Sequence, residues 1–174
     1  MNGPTLTWQT EGSALLSPCR TWRYTLTRSW GSHEDGSIRP LVVVGLNPST
    51  ADETQDDPTI RRCIGYAKAL GCGELTVVNL FAYRSTDPRA LYGMSKPMAI
   101  GPENDRHIAE ACNASGVVIC AWGNHGNLFN RSDEVLKVIR AQQGVRPMAL
   151  KVSKTGQPGH PLYLKSDARP VAFQ

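Results

Sequence analysis

No stretch of the chain approaches the ~18 consecutive apolar residues that a membrane-crossing helix needs, so no membrane partner is expected. The opening Met1-Asn2-Gly3-Pro4-Thr5 has neither a basic nor an apolar segment, which argues against a secretory signal and for a cytoplasmic location. The five cysteines (Cys19, Cys63, Cys72, Cys112, Cys120) include no Cys-x-x-Cys pair. An odd number of thiols in mostly apolar neighbourhoods reads as reduced cysteine, not as a disulfide frame or a zinc site. Neither a Walker A sequence nor Gly-x-Gly-x-x-Gly occurs, so a nucleotide cofactor has no support and no cofactor is expected. Internal repeats and low-complexity tracts are absent as well.

What remains is a composition of 174 residues, 40% apolar and 20% charged, long enough to bury a core. It is read as one domain over 1–174, with a core of about 39–165 and an N-terminal extension over 1–38. The net charge of +4 is unevenly spread. Between Arg146 and Arg169 five basic residues face the single acid Asp167, a strip that suits a phosphate-bearing partner or simply a solvated surface.

Leu41-Val42-Val43-Val44 is a continuous β-branched run, the pattern of a strand buried on both faces. Asp57-Pro58 then supplies an N-cap and a first-turn proline. Ile60, Cys63, Ile64, Ala67 and Leu70 share one helical face, and Gly71 ends the helix. Further strands are expected at 75–80, 117–121 and 148–152. Helices are expected after Pro88, from Gly101 to about Ala114, and after a Ser132 cap. Trp22, Tyr24 and Leu26 alternate with Arg23, Thr25 and Thr27, which predicts an added strand over 22–30, joined to the core by a polar loop from Gly31 to Ser37. The fold class is therefore α/β: a three-layer α/β/α sandwich on a mainly parallel four-stranded sheet, plus the N-terminal strand.

Ligands of such sheets collect beyond the carboxyl ends of the strands. The residues there are Gly45 to Thr50, then Asn79 with Tyr83 to Thr86, then Trp122 to Gly126, and Gly159 to Tyr163. Asn47, in a turn stiffened by Pro48, could hold a water or a substrate carbonyl; the alternative is an amide bonded to its own turn. His160, bracketed by Gly159 and Pro161, could donate to a developing oxyanion; the alternative is an exposed or capping histidine. His33 and His107 have no comparable setting, and His125 shares only a loop with site candidates. Asp52, Glu53, Asp56 and Asp57 could bind a hard cation, but without His or Cys partners they read as a cap and first-turn acids, so no metal is assigned. Ser49 beside His160 lacks the Gly-x-Ser-x-Gly elbow of a nucleophile.

Gly45-Leu46-Asn47-Pro48, Asn79, Trp122-Gly123 and His160-Pro161, in that order, resemble the motifs of the uracil-DNA glycosylase superfamily. Ser49 stands where that pattern has Gly, Leu162 where it has Ser, and Asn47 where the uracil-specific branch has a water-activating aspartate. Together with Ser17-Pro18-Cys19-Arg20, Ala51-Asp52, Val78 to Ala82, Asn124-His125-Gly126 and Tyr163-Leu164, these segments more closely resemble a bacterial and phage domain-of-unknown-function family, number sixteen-forty-three.

The superfamily resemblance implies a glycosylase-like fold and a protein that binds a modified or mismatched base in nucleic acid, DNA before RNA, and hydrolyses its N-glycosidic bond where catalysis is kept. On that reading Asn47 positions water and His160 donates to the base carbonyl. Asn79 reads the base edge, Tyr83 and Trp122 stack, and Gly45, Leu46, Pro48, Ser49 and Asn124 complete the substrate pocket. Leu162 and Tyr163 wedge into the duplex, and Lys154 and Lys165 meet phosphate. An amide is no Brønsted base at neutral pH, so Asn47 can only position water. The rival readings are an enzyme acting on free nucleotides or a modified base, and a non-catalytic nucleic-acid-binding module.

Overall fold

The computed structural model describes residues 11–31, 40–115 and 117–174. The N-terminal Met1 to Thr5 and, beyond Gly31, the expected polar loop with His33 lie outside them.

Hydrophobic pattern decides the centre. Strand β3 (Pro40–Gly45) buries Leu41 through Val44 on both faces and pairs in parallel with β4 (Glu74–Asn79) on one side and β5 (Val117–Cys120) on the other. Strand β6 (Pro147–Ala149) continues beyond β5, also in parallel. The even-numbered side chains Val42, Val44, Val78 and Val118 pack with helices α3 (Asn104–Asn113) and α4 (Arg131–Arg140). The odd-numbered Leu41, Val43, Leu75 and Val77 pack with α1 (Pro58–Ala69). A short α2 (Lys96–Ile100) precedes α3.

The sheet has seven strands, where four central strands and an added N-terminal strand are expected, and it is mixed. Its order is β1-β2-β4-β3-β5-β6-β7, with β1 (Glu11–Leu16), β2 (Arg23–Ser29) and β7 (Val171–Ala172) all antiparallel to their neighbours. Neither β1 nor β7 is predicted from the sequence. Glu11-Gly12-Ser13 carries no apolar alternation, and two residues are too few to show a period, so both exist through pairing alone. From β3 the chain crosses to β4 on one side, and from β5 to β6 on the other. A crevice therefore opens at the carboxyl ends between β3 and β5.

Asp57 caps α1 by accepting from the Ile60 amide at 2.9 Å, and Gly71, at φ 72°, lets the chain leave the helix. Ser132 does not cap α4. It is buried in the first turn, and the helix starts after Phe129 and Asn130, both left-handed at φ 57° and 58°. In β2 the register passes from Leu15 opposite Thr25 to Leu16 opposite Arg23, leaving Tyr24 as an extra residue. This bulge breaks the expected alternation: Tyr24 stacks on His107 of α3, whereas Leu26 packs on the α1 face.

Candidate functional site

A cavity of about 690 Å³ occupies the crevice, bounded by the loop after β3, the end of β4, the loop after β5, the start of α1 and the segment around His160. The loop after β3 keeps pairing as it leaves the sheet. Gly45 and Leu46 carbonyls accept from Leu80 and Phe81 at 2.9 Å, and the Pro48 carbonyl accepts from Ser85 at 2.9 Å. Asn47 fastens the same two loops, its Nδ2 donating to the carbonyls of Ser85 at 2.9 Å and Pro48 at 3.1 Å, with that of Tyr83 at 3.5 Å. Its N–H groups are thus committed to backbone, and the side-chain oxygen is the atom left for a water.

Asn79 ends β4 and is 4% exposed. Its own carbonyl, with that of Leu80, is held by Asn104 Nδ2 at 2.9 and 3.1 Å, and Arg131 Nε also donates to Leu80 at 2.8 Å. Arg131 in turn pairs with Asp105. These buried donors fix the backbone from which the Asn79 amide projects. Among the described residues nothing accepts from Asn79 Nδ2, although it is enclosed. An enclosed donor without a partner costs about 1–3 kcal/mol, which an occupant with an acceptor would recover.

His160 is positioned from both sides. Gly159 donates to the Lys151 carbonyl at 2.7 Å and Gly123 to that of Pro158 at 2.9 Å. From α1, Arg62 donates to the carbonyls of Leu164 and, at 3.4 Å, Pro161, and the Tyr66 hydroxyl to that of Lys165 at 2.8 Å. His160 Nδ1 accepts from the Leu162 amide at 3.3 Å, so the neutral ring carries its proton on Nε2. Burial lowers the His160 pKa, with Asp57 offsetting only part of the effect. At neutral pH the ring is an uncharged N–H donor.

Gly45, Leu46, Asn47, Ser49 and Asn79 line this cavity, as do Trp122, Asn124, His160, Leu162 and Tyr163. Pro48, Tyr83, Lys154 and Lys165 do not. Tyr83 packs on the α3–α4 side of the core, so its ring is no stacking surface here. Trp122 is not one either. Its indole is 1% exposed, edge-on to Phe173 at 5.8 Å, and donates to Gln157 at 2.7 Å. Asn124 accepts at Oδ1 from the hydroxyls of Thr155 at 2.8 Å and Ser153 at 3.1 Å. Leu162 is exposed, and Tyr163, at 85% exposure, stands out beside the mouth. The acids after β3 are spent locally: Asp52 on the amides of Thr54 and Gln55, Glu53 on Arg20, Asp56 on Arg28, and Asp57 on its cap.

Arg23 is a charged lining residue that sequence reasoning missed. Strict alternation sends it away from the buried face of β2, and the bulge at Tyr24 brings it to the α1 side, where it is 2% exposed. The signal that could have found it is a cation in an otherwise apolar and aromatic strand.

No curated protein and no solved structure matches the chain. Residues 23–162, from the first residue of β2 to Leu162 just past His160, match the family described as "Protein of unknown function (DUF1643)". The chain belongs to the DUF1643 family.

Proposed function

We propose that the chain is a nucleobase-recognising protein with a glycosylase-like α/β/α core, and that it hydrolyses the N-glycosidic bond of a modified or mismatched base held in the cavity. The observation that carries this reading is the enclosed Nδ2 of Asn79, without an acceptor, on a residue that lines the same cavity as the neutral His160. Two fixed donors suit the carbonyl edge of a base, and the second can stabilise charge arriving there. As the C1′–N bond breaks, its electron pair leaves with the base. His160 Nε2–H supports the base oxygen, and a water held by Asn47 Oδ1 bonds to C1′. The water's proton passes to solvent and the departing base takes one up. With an amide in place of a carboxylate, the rate depends on how well the base carries negative charge. Nucleic acid is the partner on this reading, with Leu162 and Tyr163 against an opened duplex and Lys154 and Lys165 near its phosphates.

The test is base release from oligonucleotides carrying uracil, hydroxymethyluracil, hypoxanthine or mismatches. Release by the wild type, lost in Asn79→Ala and His160→Ala, supports the reading. Binding without release by any substrate would leave a recognition module, and absence of both would end it. A second reading, action on free nucleotides, is favoured by the buried cation Arg23 inside the cavity.

A further inference from the structure

Arg23 is a buried charge in the site with few partners. Its guanidinium makes one hydrogen bond, from Nη1 to the Ala51 carbonyl at 2.7 Å. Among the described residues it forms no ion pair, and Nε is enclosed with no acceptor. The contrast with Arg28, equally buried on the same strand, is direct: Arg28 pairs with Asp56 at 2.8 Å and donates to the carbonyls of Thr27, Asp52 and Gln55. Burial pulls Arg23 down to about 10, and Asp57 restores part of that; Arg84 and Arg28 push it further down. A buried guanidinium left in this state is destabilising unless an anion completes it. Asn79, whose enclosed Nδ2 also has no acceptor, lines the same cavity, so the deficit there is of acceptors on both counts.

We propose that Arg23 binds an oxyanion carried by the ligand, and that the natural occupant is a base-bearing small molecule with its own anionic group, a nucleoside monophosphate before a base carried on a long strand. Identification of the base-bearing portion rests on the second reading above, action on free nucleotides; the oxyanion site does not. A cavity of about 690 Å³ accommodates a base, a sugar and one phosphate. Arg23 presents a planar fork of donors matched to phosphate or carboxylate oxygens. Lys154 and Lys165, the lysines set against a strand's phosphates, lie outside the lining, and Lys151 lies within it.

The experiment uses the full chain, with binding followed by calorimetry and melting at constant ionic strength. Its probes are inorganic phosphate, acetate, deoxyuridine, deoxyuridine 5′-monophosphate, uracil and 6-carboxyuracil. The expected result is that the monophosphate binds roughly tenfold or more tighter than deoxyuridine, the worth of one charge-assisted pair. Arg23→Met should abolish that preference while deoxyuridine binding persists, and Arg23→Lys should keep part of it. A preference of 6-carboxyuracil over uracil, with none for the monophosphate, would keep the oxyanion site and overturn the assignment to phosphate. Inorganic phosphate bound as tightly as the monophosphate, and lost in Arg23→Met, would keep the site and sink the base reading. Equal binding of monophosphate and nucleoside, or a preference that survives Arg23→Met, overturns the proposal. Should Arg23→Met not fold, the wild-type Arg23 Nε–H resonance decides: it shifts on adding the monophosphate if the proposal holds and stays in place if it does not.

Discussion

A Cβ on Gly45 would stand 2.7 Å from Oδ1 of Asn79, its register partner across β3 and β4. The glycine is the space into which the Asn79 amide folds. The backbone under Asn79 is pinned by Asn104, so the side chain has to yield. Gly45→Ala should cost about 1–3 kcal/mol of stability in urea denaturation, the range for overpacking a close-packed site. It should also weaken base binding. An alanine variant with wild-type stability and binding would show that the amide has room elsewhere.

Asn47 donates to carbonyls that belong to two loops, and no water need replace it in the wild type. Asn47→Ala should destabilise by about 1–3 kcal/mol, because buried acceptors lose their donor. Asn47→Asp should be worse at pH 8 than at pH 4, since a carboxylate cannot donate to carbonyls and a carboxylic acid can. Melting curves at the two pH values check this; an aspartate variant most stable at pH 8 would contradict the geometry.

Burial lowers the pKa of His160 and of His107, in each case below the ordinary 6.5. The unfolded chain therefore takes up protons that the folded chain refuses as pH falls through about 6.5, and folding stability drops over that window until the lowered folded values are reached. Stability contributed by the neutral rings is fully present above it. Protonation would also place an N–H on His160 Nδ1 facing the Leu162 amide. Denaturation between pH 5 and 8 should show this slope, shallower in His160→Gln. A stability that rises on acidification to pH 5.5 would refute it.

Cys19 is exposed, and its contacts with the hydroxyls of Ser17 and Thr21 push its pKa down to about 7. Burial pushes the thiols of Cys63 and Cys112 up to about 12 and raises that of Cys120, and Cys72 is buried. Iodoacetamide at neutral pH should therefore add to the native protein once, at Cys19, as read by peptide mass spectrometry. Ser17→Ala should slow the reaction. Rapid labelling of Cys63 or Cys120 without denaturant would mean that the core opens.

Arg62 reaches from α1 to the carbonyls of Pro161 and Leu164, 99 and 102 residues away in sequence. Arg62→Ala should loosen the segment that carries His160 more than it lowers global stability. Hydrogen exchange at Leu162, Tyr163 and Leu164 should rise while that of β3 stays unchanged. Equal acceleration in both would place Arg62 in the folding core instead.

Short-range patterns were enough for much of this molecule. The run Leu41 to Val44, the Asp57-Pro58 cap, the helical face of α1 and the position of Gly71 all act within a turn or a strand, over distances that periodicity and capping report directly. The switch-point rule then placed Asn47, Asn79 and His160 after strands, and all three line the cavity. Tertiary structure decided what those side chains meet. The partner of Asn47 lies 38 residues along the chain, the indole of Trp122 turns into the core toward Phe173, and β1 is a strand because β2 accepts it. Arg23 depends most on context, since one extra residue at Tyr24 reverses the face it takes. Whether a bulge forms depends on the register of two paired strands, and the sequence of one strand does not carry it.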